Sequence, residues 1–165
     1  VMENFDWTTF TIRIAINTTI SKLYAAWTQA SEIEKWFLSN ANNFDPDGNI
    51  IAKNTPVQKG FRYEWNWYLY DVMEMGTFTE ANGRDALQFT FAGSCLVAIK
   101  LTDHKEYVLV ELTQKDIPTD DHSKKEIRLG CHSGWSFYLV NLKSVYEGGL
   151  DLRNRNPNLK PMLNN

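Results

Sequence analysis

The sequence predicts an α+β domain in which an antiparallel β-sheet wraps around one long helix near the carboxyl end. Three observations carry this expectation. From Phe61 to Leu69, apolar and aromatic residues take every odd position, with Arg62, Glu64 and Asn66 between them; such alternation sets one strand face on a core and the other in water. From Ser123 to Gly149, apolar residues recur at Ile127, Cys131, Trp135, Tyr138, Leu142 and Val145, the three- and four-residue steps of a helix with one buried face. Between these segments, turn signals at 81–83, 92–93 and 103–105 cut the chain into successive strands.

The elements follow in order. Phe10–Ile16 alternates with period two and forms the first strand. Asn17, Thr18 and Thr19 offer caps for a short helix containing Leu23, Tyr24 and Trp27. Ser31 and Glu34 have the offset of a capping box, which opens a second short helix carrying Ile33, Trp36 and Phe37. The stretch 42–48 reads as turn. Strands are expected at 61–69, 72–80, 87–91, 95–101 and 107–114, so the order is β-α-α, about six strands, then α. Ser123 with Glu126 repeats the capping-box offset at the start of the last helix, and Gly148 with Gly149 stops it. One domain over residues 8–150 is expected, followed by an extended tail at 151–165 that contains Pro157 and Pro161. Only the helices can cover the apolar sheet face, so the long one must lie across it.

Gly130 and Gly134 interrupt the apolar side of that helix. Each costs about 1 kcal/mol in a helix interior relative to alanine, so a helix with two of them signals close approach or space left for an occupant. A curved sheet gripping such a helix leaves a wedge between the two.

Composition narrows the function classes. The 165 residues fit one domain with a sizeable core. A net charge of −3 offers no basic footprint for nucleic acid or an anionic membrane. No apolar run reaches the length of a membrane span. Val1-Met2-Glu3-Asn4-Phe5-Asp6 lacks the basic and apolar regions of a signal peptide, and Val1 reads as an added residue. Cys95 and Cys131 have no metal-ligand spacing and are expected as free thiols, so a cytoplasmic setting is expected.

Several pieces together also resemble a known family. They are Leu23-Tyr24-Ala25-Ala26-Trp27-Thr28, then Glu34-Lys35-Trp36-Phe37, then Lys59-Gly60-Phe61, and finally Gly134-Trp135 leading to Asn141-Leu142-Lys143 and Glu147-Gly148-Gly149. With the element order, they resemble the helix-grip fold of the START-like superfamily, in its branch related to the activator of the heat-shock protein 90 ATPase. The similarity spans roughly residues 8 to 150. It implies a curved sheet around a carboxyl-terminal helix. Members include chaperone regulators, binders of apolar small molecules and single-domain bacterial proteins. The eukaryotic activator adds an amino-terminal domain that docks on the chaperone, and the present 165 residues are expected to be filled by one domain.

The candidate binding residues follow from the aromatic strand and the glycine-relieved helix. Phe61, Tyr63, Trp65 and Trp67, with Phe89 from another strand, floor a ligand cavity or pack a closed core. Gly134, Trp135, Tyr138 and Leu142 roof it. Trp36 and Phe37 gate its mouth or plug it. His104 and His122 fall in loops, and His132, though next to Cys131, points about 100° away from it on a helix. Glu111, Arg13 and Arg62 read as outward charges, and Arg153 and Arg155 as a solvated tail that can meet a partner's carboxylate. No nucleophile elbow, phosphate loop or metal spacing is present, so no catalytic residue, metal or cofactor is expected. The function expected is a non-catalytic protein, monomeric or homodimeric, holding an apolar or aromatic small molecule. The alternatives are a stress-related co-chaperone that stimulates heat-shock protein 90, and a cyclase or hydrolase of the superfamily.

Overall fold

The computed structural model describes residues 4–165; Val1, Met2 and Glu3, read above for a targeting signal, lie outside the described residues. Strand β1 (Phe10–Ile16) is followed by helices α1 (Ile20–Thr28) and α2 (Ala30–Ile33). Six strands come next: β2 (Asn40–Phe44), β3 (Arg62–Asn66), β4 (Met73–Ala81), β5 (Ala86–Phe91), β6 (Cys95–Asp103) and β7 (Val108–Lys115). With β1 they form a seven-stranded sheet in the order β1-β7-β6-β5-β4-β3-β2, and every neighbouring pair is antiparallel. A register shift in β4 between Phe78 and Glu80 adds bend and twist to the middle of the sheet. The chain closes with α3 (Asp121–Ser123), a π-helical stretch Lys124–Leu129 and α4 (Gly130–Tyr146). This is the α+β helix-grip architecture expected from the sequence.

Alternation explains which residues face the helix. On β6, Cys95, Val97, Ile99 and Leu101 are buried, and on β7 Val108, Val110, Leu112 and Gln114 are. The other face carries a polar ladder in which Arg13 Nε meets Glu111 Oε1 at 2.7 Å; both charges face outward as expected, and they pair. On the inner face, Trp135 of α4 lies 5.2 Å from Phe91, 4.9 Å from Phe37 and 6.0 Å from Trp27, centroid to centroid. Its indole Nε1 donates to Gln114 Oε1 at 3.0 Å. The helix is therefore held to the sheet by both dispersion and one buried polar contact.

Several boundaries differ from expectation. The stretch at 42–48 begins inside a strand, because Asn40–Phe44 pairs with β3 as the sheet edge. Its two buried residues, Ala41 and Asn43, alternate correctly, but three asparagines in five residues hide that pattern. The aromatic strand stops at Asn66 instead of Leu69. Leu69 has φ 66°, a left-handed conformation that turns the chain away from the sheet, so Trp67 and Tyr68 belong to a loop.

The capping boxes are also replaced. Thr19 caps α1 as expected, accepting from Lys22 N at 3.3 Å. Glu34, by contrast, takes a hydrogen bond from Ala41 N at 3.0 Å and an ion pair from Lys53, while α2 starts at Ala30 with no side-chain cap. The last helix begins three residues early: Asp120 accepts from Ser123 N at 3.0 Å and from Ser123 Oγ at 2.7 Å. At its other end, Gly148 adopts φ 83°, the left-handed turn that stops helices.

The segment 151–165 has no helix or strand, and residues 155–163 are exposed, but its beginning is anchored in the domain and Arg153 is not solvated. Arg153 is buried, its Nη1 donating to Leu38 O and its Nη2 to Glu34 O, both at 2.9 Å. The Asp151 carboxylate completes the pairing at 2.9 Å from Nη2 and also accepts from Arg155 at 2.8 Å. Asn141 on α4 joins in, donating to Trp36 O and Asp151 and accepting from Leu152 N. Both arginines lie over the Tyr68 ring, at 5.1 and 4.2 Å.

Candidate ligand-binding cleft

A cleft of about 490 Å³ opens where α4 crosses the loop after β3. One wall comes from the helix: Gly130, Cys131, Gly134, Trp135 and Tyr138 face it. A β-carbon added at Gly134 would meet nothing within 4 Å, and one at Gly130 only Lys125 O at 3.7 Å. The glycines therefore leave real space, and the helical positions on either side of them define its shape. The facing wall comes from Trp67, Tyr70 and Val72, with Phe91 from the end of β5 and Phe37 behind. Tyr70 and Val72 are exposed at the rim, and Asn165 reaches it from the far end of the chain, donating to the Tyr70 hydroxyl at 3.1 Å.

The π-helical stretch explains how one acidic side chain reaches this site. A π turn accommodates an extra residue and widens the helix, a distortion common next to functional sites. Here it lies one turn before Gly130, and Glu126 within it lines the cleft. Among the described residues, Glu126 is the only charged side chain on the wall.

The structure divides the candidate residues into two groups. Phe37, Trp67, Gly134, Trp135 and Tyr138 come together on the cleft. Trp36, Tyr63, Trp65, Phe89 and Leu142 are fully enclosed beneath it in the aromatic core. The Tyr63 and Trp65 rings stack 3.7 Å apart, Trp65 lies 5.2 Å from Phe89, and Tyr63 donates its hydroxyl to Thr90 O at 2.5 Å. Trp36 stacks on Phe37 at 5.2 Å and donates to Ala26 O at 3.0 Å. Phe61 packs against the edge of the same core, outside the cleft. Strand β3 thus packs a closed floor, and Trp67 reaches the opening because the strand ends one residue before it.

Sequence reasoning did not include Tyr70, Val72, Phe91, Glu126, Cys131 or Asn165 as wall residues. Phe91 and Cys131 were detectable from period alone, since each sits on the inward side of its element. Tyr70, Val72 and Asn165 had no local signal, because a reversed loop and a returning chain end put them there.

The comparisons with known proteins bear on this architecture. The family model described as Activator of Hsp90 ATPase homolog 1-like protein matches residues 17–147. The chain belongs to that family. A comparison with curated proteins finds no match. Among solved structures, a protein from Staphylococcus saprophyticus superposes with a TM-score of 0.70 at 18% identity, over 88% of this chain and 96% of that one. An Aha1 dimer from Colwellia psychrerythraea gives 0.65 at 17%, over 86% and 97%. An HSP90 activator from Plasmodium falciparum gives 0.61 at 17%, over 84% and 95%. At these identities the likeness concerns the fold.

In this Hsp90-activator-like chain the Cys131 thiol and the Tyr138 phenol on the cleft wall hold their protons. Burial pushes the Cys131 thiol up to about 11, against the lowering effect of a hydrogen bond from Gln114. Burial likewise raises Tyr138 to about 12, with Tyr70 adding to it and Arg153 opposing. Cys95 is a buried free thiol. His132 packs edge-on against Phe10 at 5.2 Å, away from the cleft that Cys131 lines, so the two neighbours on the helix do not converge. His104 stacks on Tyr107 in a hairpin turn, and His122 sits in α3. Among the described residues, no group of three His, Cys, Asp or Glu side chains is placed to hold a metal ion, and no helix is long and apolar enough to cross a membrane.

Proposed function

We propose that this chain is a non-catalytic binding protein of the cytoplasm that holds an apolar or aromatic small molecule between α4 and the loop after β3. The observation that carries this reading is the open space beside Gly134, walled by Trp67, Phe91 and Tyr138. Aromatic walls with a few polar tips suit small-molecule recognition. A thiol and a phenol that stay protonated at neutral pH supply neither nucleophile nor base, which favours binding over the cyclase or hydrolase alternative. Titration of the protein with 2-naphthol, followed by tryptophan emission, is expected to give a saturable change. Gly134→Leu is expected to abolish it. An unsaturable response in the native protein overturns the reading.

A second reading is regulation of heat-shock protein 90, favoured by the family's description and by the Plasmodium neighbour named as an activator. Its measurement is the steady-state ATPase rate of the chaperone with increasing amounts of this chain. A flat titration removes it. Since the Colwellia neighbour is a dimer, sedimentation equilibrium distinguishes monomer from homodimer here.

A further inference from the structure

We propose that the cleft selects a protonated organic amine, seating its cationic nitrogen beside Glu126 and its apolar body on Trp67 and Phe91. This rests on the small-molecule reading above and adds the chemical class of the ligand. The distribution of charge around the opening carries it. Glu126 is the only charged side chain on the wall among the described residues. Its sole ion-pair partner there is its chain neighbour Lys125, 3.6 Å away and 82% exposed. Such a solvated pair competes weakly with a bound cation.

The other cations nearby are committed elsewhere. Lys124 lies over the Trp7 ring at 5.2 Å. Arg153 and Arg155 share Asp151, and both cover Tyr68. Among the described residues, an anionic ligand would meet the Glu126 carboxylate and no cation in the wall. A cation meets favourable charge and, on the indole and phenyl faces, the negative side of the ring quadrupoles.

The test uses three probes of one shape, measured by calorimetry on the full chain: 2-naphthylmethylamine, 2-naphthalenemethanol and 2-naphthoate. The amine is expected to bind about tenfold tighter than the alcohol, as one desolvated cation contact allows, and the carboxylate more weakly than both. In Glu126→Gln, amine and alcohol should bind within about twofold of each other, and raising the salt concentration should shrink the native preference. Glu126→Lys, at an exposed helical position, should turn the preference toward the carboxylate. If amine and alcohol bind the native protein equally, or the carboxylate binds best, the amine assignment falls while the binding reading stands. If the preference survives Glu126→Gln, Glu126 is not its source and the assignment also falls. If no probe saturates, both readings fall.

Discussion

At Gly134 the absence of a side chain does two things at once. It costs helix stability, since glycine is about 1 kcal/mol worse than alanine in a helix interior, and it opens the cleft. Gly134→Ala should therefore stabilise the protein by roughly 0.5–1 kcal/mol, read as a higher urea midpoint, because its methyl meets nothing within 4 Å. Gly134→Leu should keep that stability and lose the space, so stability and 2-naphthol uptake move in opposite directions. Loss of both would mean that the leucine forces the helix off the sheet. Arg153 shows the reverse economy, in which a charge is buried because each guanidinium nitrogen donates to an acceptor. Arg153→Met takes its donors from the Glu34 and Leu38 carbonyls and leaves the Asp151 carboxylate to Arg155 and Asn141. It should cost about 2–3 kcal/mol, less than for a fully buried pair because the Asp151 side chain is a quarter exposed. Arg155→Ala, at an exposed partner of the same carboxylate, should cost under about 1 kcal/mol.

Among the elements, the helix and the central strands were legible and their ends were not. The period of Trp135, Tyr138 and Leu142 reflects one face pressed on a sheet, and packing of that kind leaves its mark along the whole element. An end is decided by a single contact. Both Asp120 and Ser123 are good caps in isolation, and the choice fell to Asp120 because its carboxylate takes both the amide and the hydroxyl of Ser123. Asp120→Ala should thus lower the unfolding midpoint, as loss of a helix cap does, whereas Glu126→Gln should leave it unchanged, a comparison that thermal melts can make directly. Strand β3 shows a related limit. Its alternation continues through Trp67 and Leu69, yet pairing stops at Asn66. Alternation describes which side a residue would face, and says nothing of where a left-handed residue such as Leu69 will turn the chain. The candidate floor was therefore recognised as aromatic and inward, while its division into enclosed rings and a cleft wall depended on that turn.

For the whole molecule, the segment after α4 is a structural part of the domain. Desolvation raises the Asp151 pKa, but hydrogen bonds from Arg153 and Asn141 outweigh it and hold the carboxyl well below its ordinary 3.8. A lowered folded-state pKa stabilises the protein fully above the unfolded value and loses that stabilisation as the pH falls through the folded one. Acid titration of the unfolding free energy should therefore show a loss that begins near pH 4 and continues below it, and Asp151→Asn should flatten this limb. No steeper acid loss in the native protein than in the variant would remove Asp151 from the account. The reach of Arg153 also has a consequence in time. Its acceptors at Glu34 and Leu38 lie 119 and 115 residues earlier in the chain. During synthesis on the ribosome, the end of α2 stays without these donors until nearly the whole domain has emerged, so the nascent chain cannot lock its own beginning before its last stretch is made.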